Sequence, residues 1–145
     1  MRTVAWALVV VALLAGCATI PPSQDEARVV ALVGFVEEEP VDAVVSQSRI
    51  PFLFQDQIIY SQADLSAVLT RLRAGGLTLA PESAQIDMYP MFSGDLRFDQ
   101  QVFADELPED ARVVTVSSSA GTIELLVGGS QDGMPLLLGI QRGDS

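Results

Sequence analysis

The order of elements along this chain predicts an α+β domain, with N-terminal helices packed on an antiparallel sheet. Three observations carry the prediction. Apolar residues recur at helical spacing through residues 25–48, and a strand-then-helix passage runs from Ile50 to Gly76. Beyond Gly76 the pattern changes to short alternating runs divided by loops that hold glycine or proline.

Ahead of the domain, Met1-Arg2 supplies a short positive start, Val4–Leu14 an unbroken apolar run, and small residues follow. That is the layout of a secretory signal peptide, and the run is too short for a comfortable membrane span. It ends Leu14-Ala15-Gly16-Cys17, which resembles the bacterial lipobox, where the cysteine receives a thioether-linked diacylglycerol before cleavage. The expected division is residues 1–16 as signal peptide, 17–24 as lipidated Cys17 and tether, and 25–145 as a single domain. Two or more acyl chains hold a protein firmly to a bilayer where one holds it only marginally. Ala18 follows the cysteine where aspartate would signal inner-membrane retention in enteric bacteria. The expected location is therefore the outer membrane, facing the periplasm, in a Gram-negative host. Pro21-Pro22 favours an extended tether, short enough to keep the domain near the bilayer.

Cleavage leaves enough chain for one core but not two. It also removes Arg2, which takes the net charge from −11 to −12. Every cation is an arginine, and there is no lysine and no histidine. Such a surface repels phosphate backbones and anionic lipid, which argues against nucleic-acid binding and leaves membrane attachment to the acyl chains. Cys17 is the only cysteine, so no disulfide forms within the chain despite the oxidising compartment that export implies. Acylation would also remove its thiol from catalysis.

Asp25–Glu39 reads as a helix opened by Asp25 and Glu26, with Val29, Val30, Leu32, Val33 and Val36 on a broad apolar face. Glu37-Glu38-Glu39 is an acidic end that opposes the helix dipole. It reads as a solvated turn, with a cation or partner contact as the alternative. Pro40 stops this helix and starts the next, Val41–Ser48, with Val41, Val44 and Val45 inward. Ile50–Phe54 and Ile58–Tyr60 are rich in β-branched and aromatic residues, as buried strands are. Gln55-Asp56-Gln57 is either a turn between two strands or a bulge in one. Ser61 with Asp64 resembles a capping box, and Leu65, Val68, Leu69 and Leu72 then form one apolar face. Arg71 and Arg73 occupy the last turn, and Gly75-Gly76 supply the left-handed residue that ends it.

Leu77–Leu79 and Ala84–Met88 read as strands separated by Pro81-Glu82-Ser83, followed by a loop, Tyr89–Gly94, rich in large apolar residues. Phe98–Glu106 is either strand or short helix, with strand preferred, and Leu107–Asp110 is a turn. Arg112–Ser117, Thr122–Val127 and Leu136–Gln141 are three strands joined by the loops Ser118–Gly121 and Gly128–Gly133. Ile123, Leu125 and Val127 share one face, which Leu136, Leu138 and Ile140 repeat.

This order resembles the nuclear transport factor 2-like superfamily, the cystatin-like cones, over nearly all of Asp25–Gln141. The piece most like it is Ile50-Pro51-Phe52-Leu53-Phe54 leading through Tyr60 into Ala63–Leu72, together with the closing strands that end Leu136–Ile140. The resemblance implies a cone-like fold, with helices packed into the concave side of a curved antiparallel sheet. It also implies a pocket, because the superfamily includes isomerases, dehydratases, polyketide cyclase-like proteins and pockets of no known chemistry. Its enzymes typically place Asp with His, or Asp with Tyr, inside the cone.

The absence of histidine removes the first of those dyads, and with it Ser-His-Asp triads and His-based metal sites. Asp56, Asp64, Asp87, Asp99 and Asp105, with Tyr60 and Tyr89, remain as groups able to face a cavity. An Asp beside a Tyr donor could abstract a proton next to a carbonyl and stabilise the enolate, and Tyr60 with Asp87 is the best such pair. Each has a plainer reading. Asp64 is a helix cap, Asp56 a turn residue, Asp87 the polar side of a strand, and the tyrosines core aromatics with the hydroxyl at a rim. Tyr89-Pro90-Met91-Phe92 reads either as an adaptable contact surface or as a cover over the core. The glycine loops lack a P-loop lysine, and Asp132-Gly133 lacks the acidic neighbours of a calcium loop, so neither cofactor nor metal is expected.

The expectation is a membrane-anchored envelope lipoprotein with a non-catalytic domain that binds a small apolar ligand, an envelope protein or a second copy of itself. The alternatives are an isomerase or dehydratase using Asp and Tyr, and a structural role in envelope assembly.

Overall fold

A computed structural model describes residues 23–88, 103 and 105–143. The signal segment, Cys17, the tether as far as Pro22, Asp99 and the Tyr89–Gly94 loop lie outside the described residues.

Helix α1 spans Gln24–Glu38 and is closed at its start by a capping box. The Ser23 hydroxyl accepts from the Glu26 N–H at 3.2 Å, and the Glu26 carboxylate accepts from the Ser23 N–H at 3.2 Å. Ser23 and Gln24 therefore belong to the helix rather than to the tether, and the Ser-x-x-Glu spacing is its signal. Val29, Leu32, Val33 and Val36 are buried at the expected spacing, whereas Val30 is exposed. The acidic end is solvated at Glu38 and Glu39, which are exposed, but it is also tied into the fold. Glu37 accepts from the Leu79 N–H at 2.7 Å, and Arg73 donates to the carbonyls of Val36 at 2.8 Å and of Glu39. A guanidinium on the last carbonyls offsets the unfavourable charge–dipole arrangement that three glutamates create there.

After Pro40, helix α2 (Val41–Ser46) buries Val44 and Val45 and stops short of Ser48, which begins strand β1 (Ser48–Phe54). Gln55-Asp56 is a two-residue turn into strand β2 (Gln57–Ile59), so the polar kink divides two strands. Helix α3 (Gln62–Ala74) follows. The Ser61 hydroxyl accepts from the Asp64 N–H at 3.1 Å and donates to its carboxylate at 2.7 Å. At the other end Gly76, at φ 80°, places the Leu77 N–H on the Leu72 carbonyl at 3.1 Å and its own N–H on that of Arg73 at 2.9 Å. That pair of bonds is the Schellman closure that a left-handed residue allows.

The remaining strands are β3 (Leu79–Met88), β4 (Arg112–Ser118), β5 (Gly121–Gln131) and β6 (Met134–Arg142). Six strands form one sheet in the order β2-β1-β6-β5-β4-β3. The sheet is mixed rather than antiparallel throughout, because β1 lies parallel to β6. Tight turns dictate antiparallel neighbours, but the direction of β1 against a strand far along the chain has no local signal. Gly139 permits this contact. A Cβ there would stand 2.9 Å from both the Cβ and the carbonyl oxygen of Leu53.

Two further readings are corrected by irregular pairing. Leu79–Met88 is one strand with a bulge, not two strands. Inside the bulge the Ser83 hydroxyl donates to the Ala80 carbonyl at 2.6 Å and accepts the Ser117 N–H at 2.8 Å, bridging where the ladder lapses. In β6, Leu126 pairs with Gly139 but Val127 pairs with Leu137, so Leu138 is an extra residue. Ile140 and Leu137 consequently join the face of Ile123, Leu125 and Val127, while Leu138 turns to the other face with Leu136. β5 also runs on to Gln131, leaving Asp132-Gly133 alone as the hairpin turn.

The helices cover one face of the sheet. There α1, α2 and α3 close over Phe52, Val114, Val116, Leu125 and Leu137 in the main core. The other face holds a smaller cluster of Leu53, Val113, Leu126 and Leu138 under Phe103. Phe103 and Asp105 are helical, against the strand preferred for that stretch, and the turn expected over Leu107–Asp110 begins one residue earlier, at Glu106. No helix among the described residues is long and apolar enough to cross a membrane.

Candidate functional site

The tyrosine and aspartate singled out as a pair are not brought together. Tyr60 follows β2 at one edge of the sheet and is 73% exposed, so it is not a core aromatic. Asp87 lies on β3 at the opposite edge, exposed, and paired with Val113 in the ladder. Four strands stand between the two edges. Ile86 packs against the helix-side core, and strand alternation directs Asp87 away from it. Asp64 is consumed by the cap of α3, Asp56 sits in the β1–β2 turn, and Asp105 is exposed beside Phe103. Among the described residues no group of three or more Cys, Asp or Glu is arranged to hold a metal ion.

One small cavity lies between the helices and the sheet. Val36, Val44, Leu69, Leu72, Leu125 and Ile140 line a cavity of about 30 Å³, with Arg73 also at its wall. A drug-sized ligand occupies roughly 300–1,000 Å³. The reason the space is filled lies in the sequence. β-branched and leucine side chains from α1 and α3 interdigitate with the Ile123–Leu125–Val127 row.

A larger, wetter cleft of about 170 Å³ opens where the first turns of α1 meet the end of the β5–β6 hairpin. Asp25 and Arg28 line it from α1, Asp110 and Arg112 from the approach to β4, and Gly128–Ser130 from β5. Its floor is a bulge. Gly128 pairs with Leu136 and Gln131 with Met134, so Gly129 and Ser130 together face Pro135. Proline has no N–H to give a ladder, and the extra residue on β5 accommodates that gap. The Asp110 carboxylate holds the bulge in place by accepting the Gly129 N–H at 2.9 Å. Arg112, whose side chain is 21% exposed, stands 3.6 Å from the Asp25 carboxylate. The cleft thus carries two guanidiniums, one carboxylate engaged by backbone and one in a loose ion pair. Chemically it can hold an anion but contains no nucleophile or base positioned on a partner.

None of these cleft residues was singled out as functional by the sequence. They come from four separate segments and share no spacing. The signal within reach was the Gly128-Gly129 pair opposite a Pro in the next strand, which marks a bulge rather than a loop. No protein-family profile, no curated protein and no solved structure matches this chain.

Proposed function

We propose that the chain is a lipid-anchored lipoprotein of the cell envelope, on the outer membrane facing the periplasm in a Gram-negative host. Its domain, with the nuclear transport factor 2-like cone layout, is a non-catalytic module that engages another envelope protein by its surface. Leu14-Ala15-Gly16-Cys17 at the end of the Val4–Leu14 run supports the anchor. Three helices on one face of a six-stranded sheet support the layout.

One observation favours a surface partner over a small apolar ligand. The cavity that Val36, Leu69 and Ile140 line between helices and sheet has about 30 Å³, an order of magnitude below a ligand pocket. Opening it would mean withdrawing side chains such as Val44, Leu125 and Ile140, which line it and are buried.

Native mass spectrometry of the protein purified gently from membranes tests the reading. A mass that accounts for the polypeptide and its acyl chains alone is expected. Extra mass that leaves on denaturation would establish a bound ligand and overturn the choice of a surface partner. Anchoring has a separate test, because Cys17→Ser should move the protein from the membrane fraction to the soluble fraction. Firm attachment of that variant would sink the lipoprotein reading.

A further inference from the structure

We propose that the cleft between α1 and the β5 bulge binds a phosphate group, supplied in the anchored protein by a phospholipid headgroup. The phosphate chemistry stands on the cleft itself, and the headgroup as its source rests on the lipoprotein reading above.

The first ground is size. At about 30 Å³ per water in the liquid, a cleft of about 170 Å³ holds several water-sized groups. A phosphate fits. The second ground is its cations. Arg28 and Arg112 both line the cleft, and Arg28 has no hydrogen bond or ion pair among the described residues. Guanidinium is the side chain best matched to phosphate, since it presents parallel donors to two oxygens.

The two carboxylates at the cleft do not cancel this. Asp110 already accepts the Gly129 N–H. Asp25 is 65% exposed and lies 3.6 Å from Arg112, beyond a direct hydrogen bond. A pair this long, with Asp25 open to water, is weak, so a phosphate oxygen can displace it. The end of α1 is not the site. Ser23 and Glu26 close it with their own capping box.

The third ground is placement. The net charge of −11 makes most of the surface repel an anionic membrane. Glu37, Glu38 and Glu39 sit at the far end of α1, about 15 Å from Arg28 at about 1.5 Å per residue. The arginine cleft is at the near end, where the tether enters. Fully extended, the chain from Cys17 to Ser23 spans about 20 Å, which keeps the cleft within reach of headgroups.

The test is an NMR titration of the protein, purified from membranes in non-ionic detergent, with inorganic phosphate. The arginine side-chain N–H signals and the Gly129 and Ser130 amides report binding. Saturable shifts at Arg28 and Arg112, absent with sodium chloride at matched ionic strength, are expected. Arg28→Gln, on an exposed helix position, should weaken phosphate binding about tenfold, and Arg112→Gln should do likewise. Arg71→Gln, in an exposed position on α3, should leave it unchanged. No saturable shift, or equal shifts at every arginine, overturns the site.

A second arm places the same protein in phosphatidylglycerol nanodiscs carrying a headgroup spin label. Broadening at Arg28 and Gly129 but not at Glu38 supports the headgroup source. Phosphate binding without that broadening overturns the headgroup and assigns the cleft to a soluble phosphate compound. The intact mass of the same sample reports whether Cys17 is acylated, so a failed anchor is distinguished from a failed cleft.

Discussion

The two faces of the sheet are built from alternate residues of the same strands, yet they are covered in different ways. On one side three helices bury seventeen described side chains. On the other, four buried residues depend on Phe103, which arrives from the long β3–β4 connection, with Leu107 beside it. The contrast separates cover that forms locally from cover that a distant segment must deliver. Leu137 and Leu138 sharpen it, because neighbours of the same type on β6 point to opposite faces and both are almost fully buried. Leu137→Ala should cost about 4 kcal/mol, near the upper part of the range for buried leucine, because helices and sheet clamp the void. Leu138→Ala should cost about 2–3 kcal/mol, since a single-segment cover can settle into the space. Urea midpoints at unchanged m-value measure both, and equal losses would break the distinction.

The same division explains what the sequence could tell. Helix α3 was legible because every signal for it is local: Ser61 and Asp64 at its start, Leu65 to Leu72 along its face, Gly76 after its end. The strand Arg112–Ser118 and the Thr122–Val127 part of β5 were legible for the same reason, through alternation and short turns. Direction and register between distant segments were not. Nothing in Ile50–Phe54 states that its neighbour is β6, or that the pairing is parallel. Nothing in Leu136–Ile140 marks Leu138 as the extra residue, because that is a property of the ladder with β5. The cleft suffered the same fate. Arg28 and Arg112 acquire a common purpose only when α1 is laid beside β4 and β5.

Arg73 shows how one side chain can belong to two such categories. By spacing it is a favourable cation in the last turn of α3, and in the fold it also caps α1 through Val36 and Glu39. Arg73→Met keeps the aliphatic stem and the helix propensity while removing the guanidinium. The expected loss is about 1–2 kcal/mol, from a charged hydrogen-bond donor withdrawn from helix carbonyls beside three glutamates. Most of that loss belongs to α1. Glu39→Gln in the Arg73→Met background should therefore recover part of it, whereas additive effects would show that Arg73 serves only its own helix.

The smallest effect concerns the starts of the helices, where the two serine caps differ in what lies behind them. Ser61 fixes the first turn of α3, directly before the fully buried Leu65, and binds both the N–H and the carboxylate of Asp64. Ser23 caps an end of α1 whose first five residues are all exposed, Val29 being the first buried one. Ser61→Ala should cost about 1 kcal/mol and Ser23→Ala about half of that, because fraying at an exposed end withdraws nothing from the core. Amide exchange gives the sharper reading. Ser61→Ala should speed exchange in the first turn of α3 and leave the amides of Val113 and Leu126 at their original rates. If protection at Val113 and Leu126 fell in step, the two faces would be one cooperative unit, and the contrast between local and delivered cover would not extend to stability.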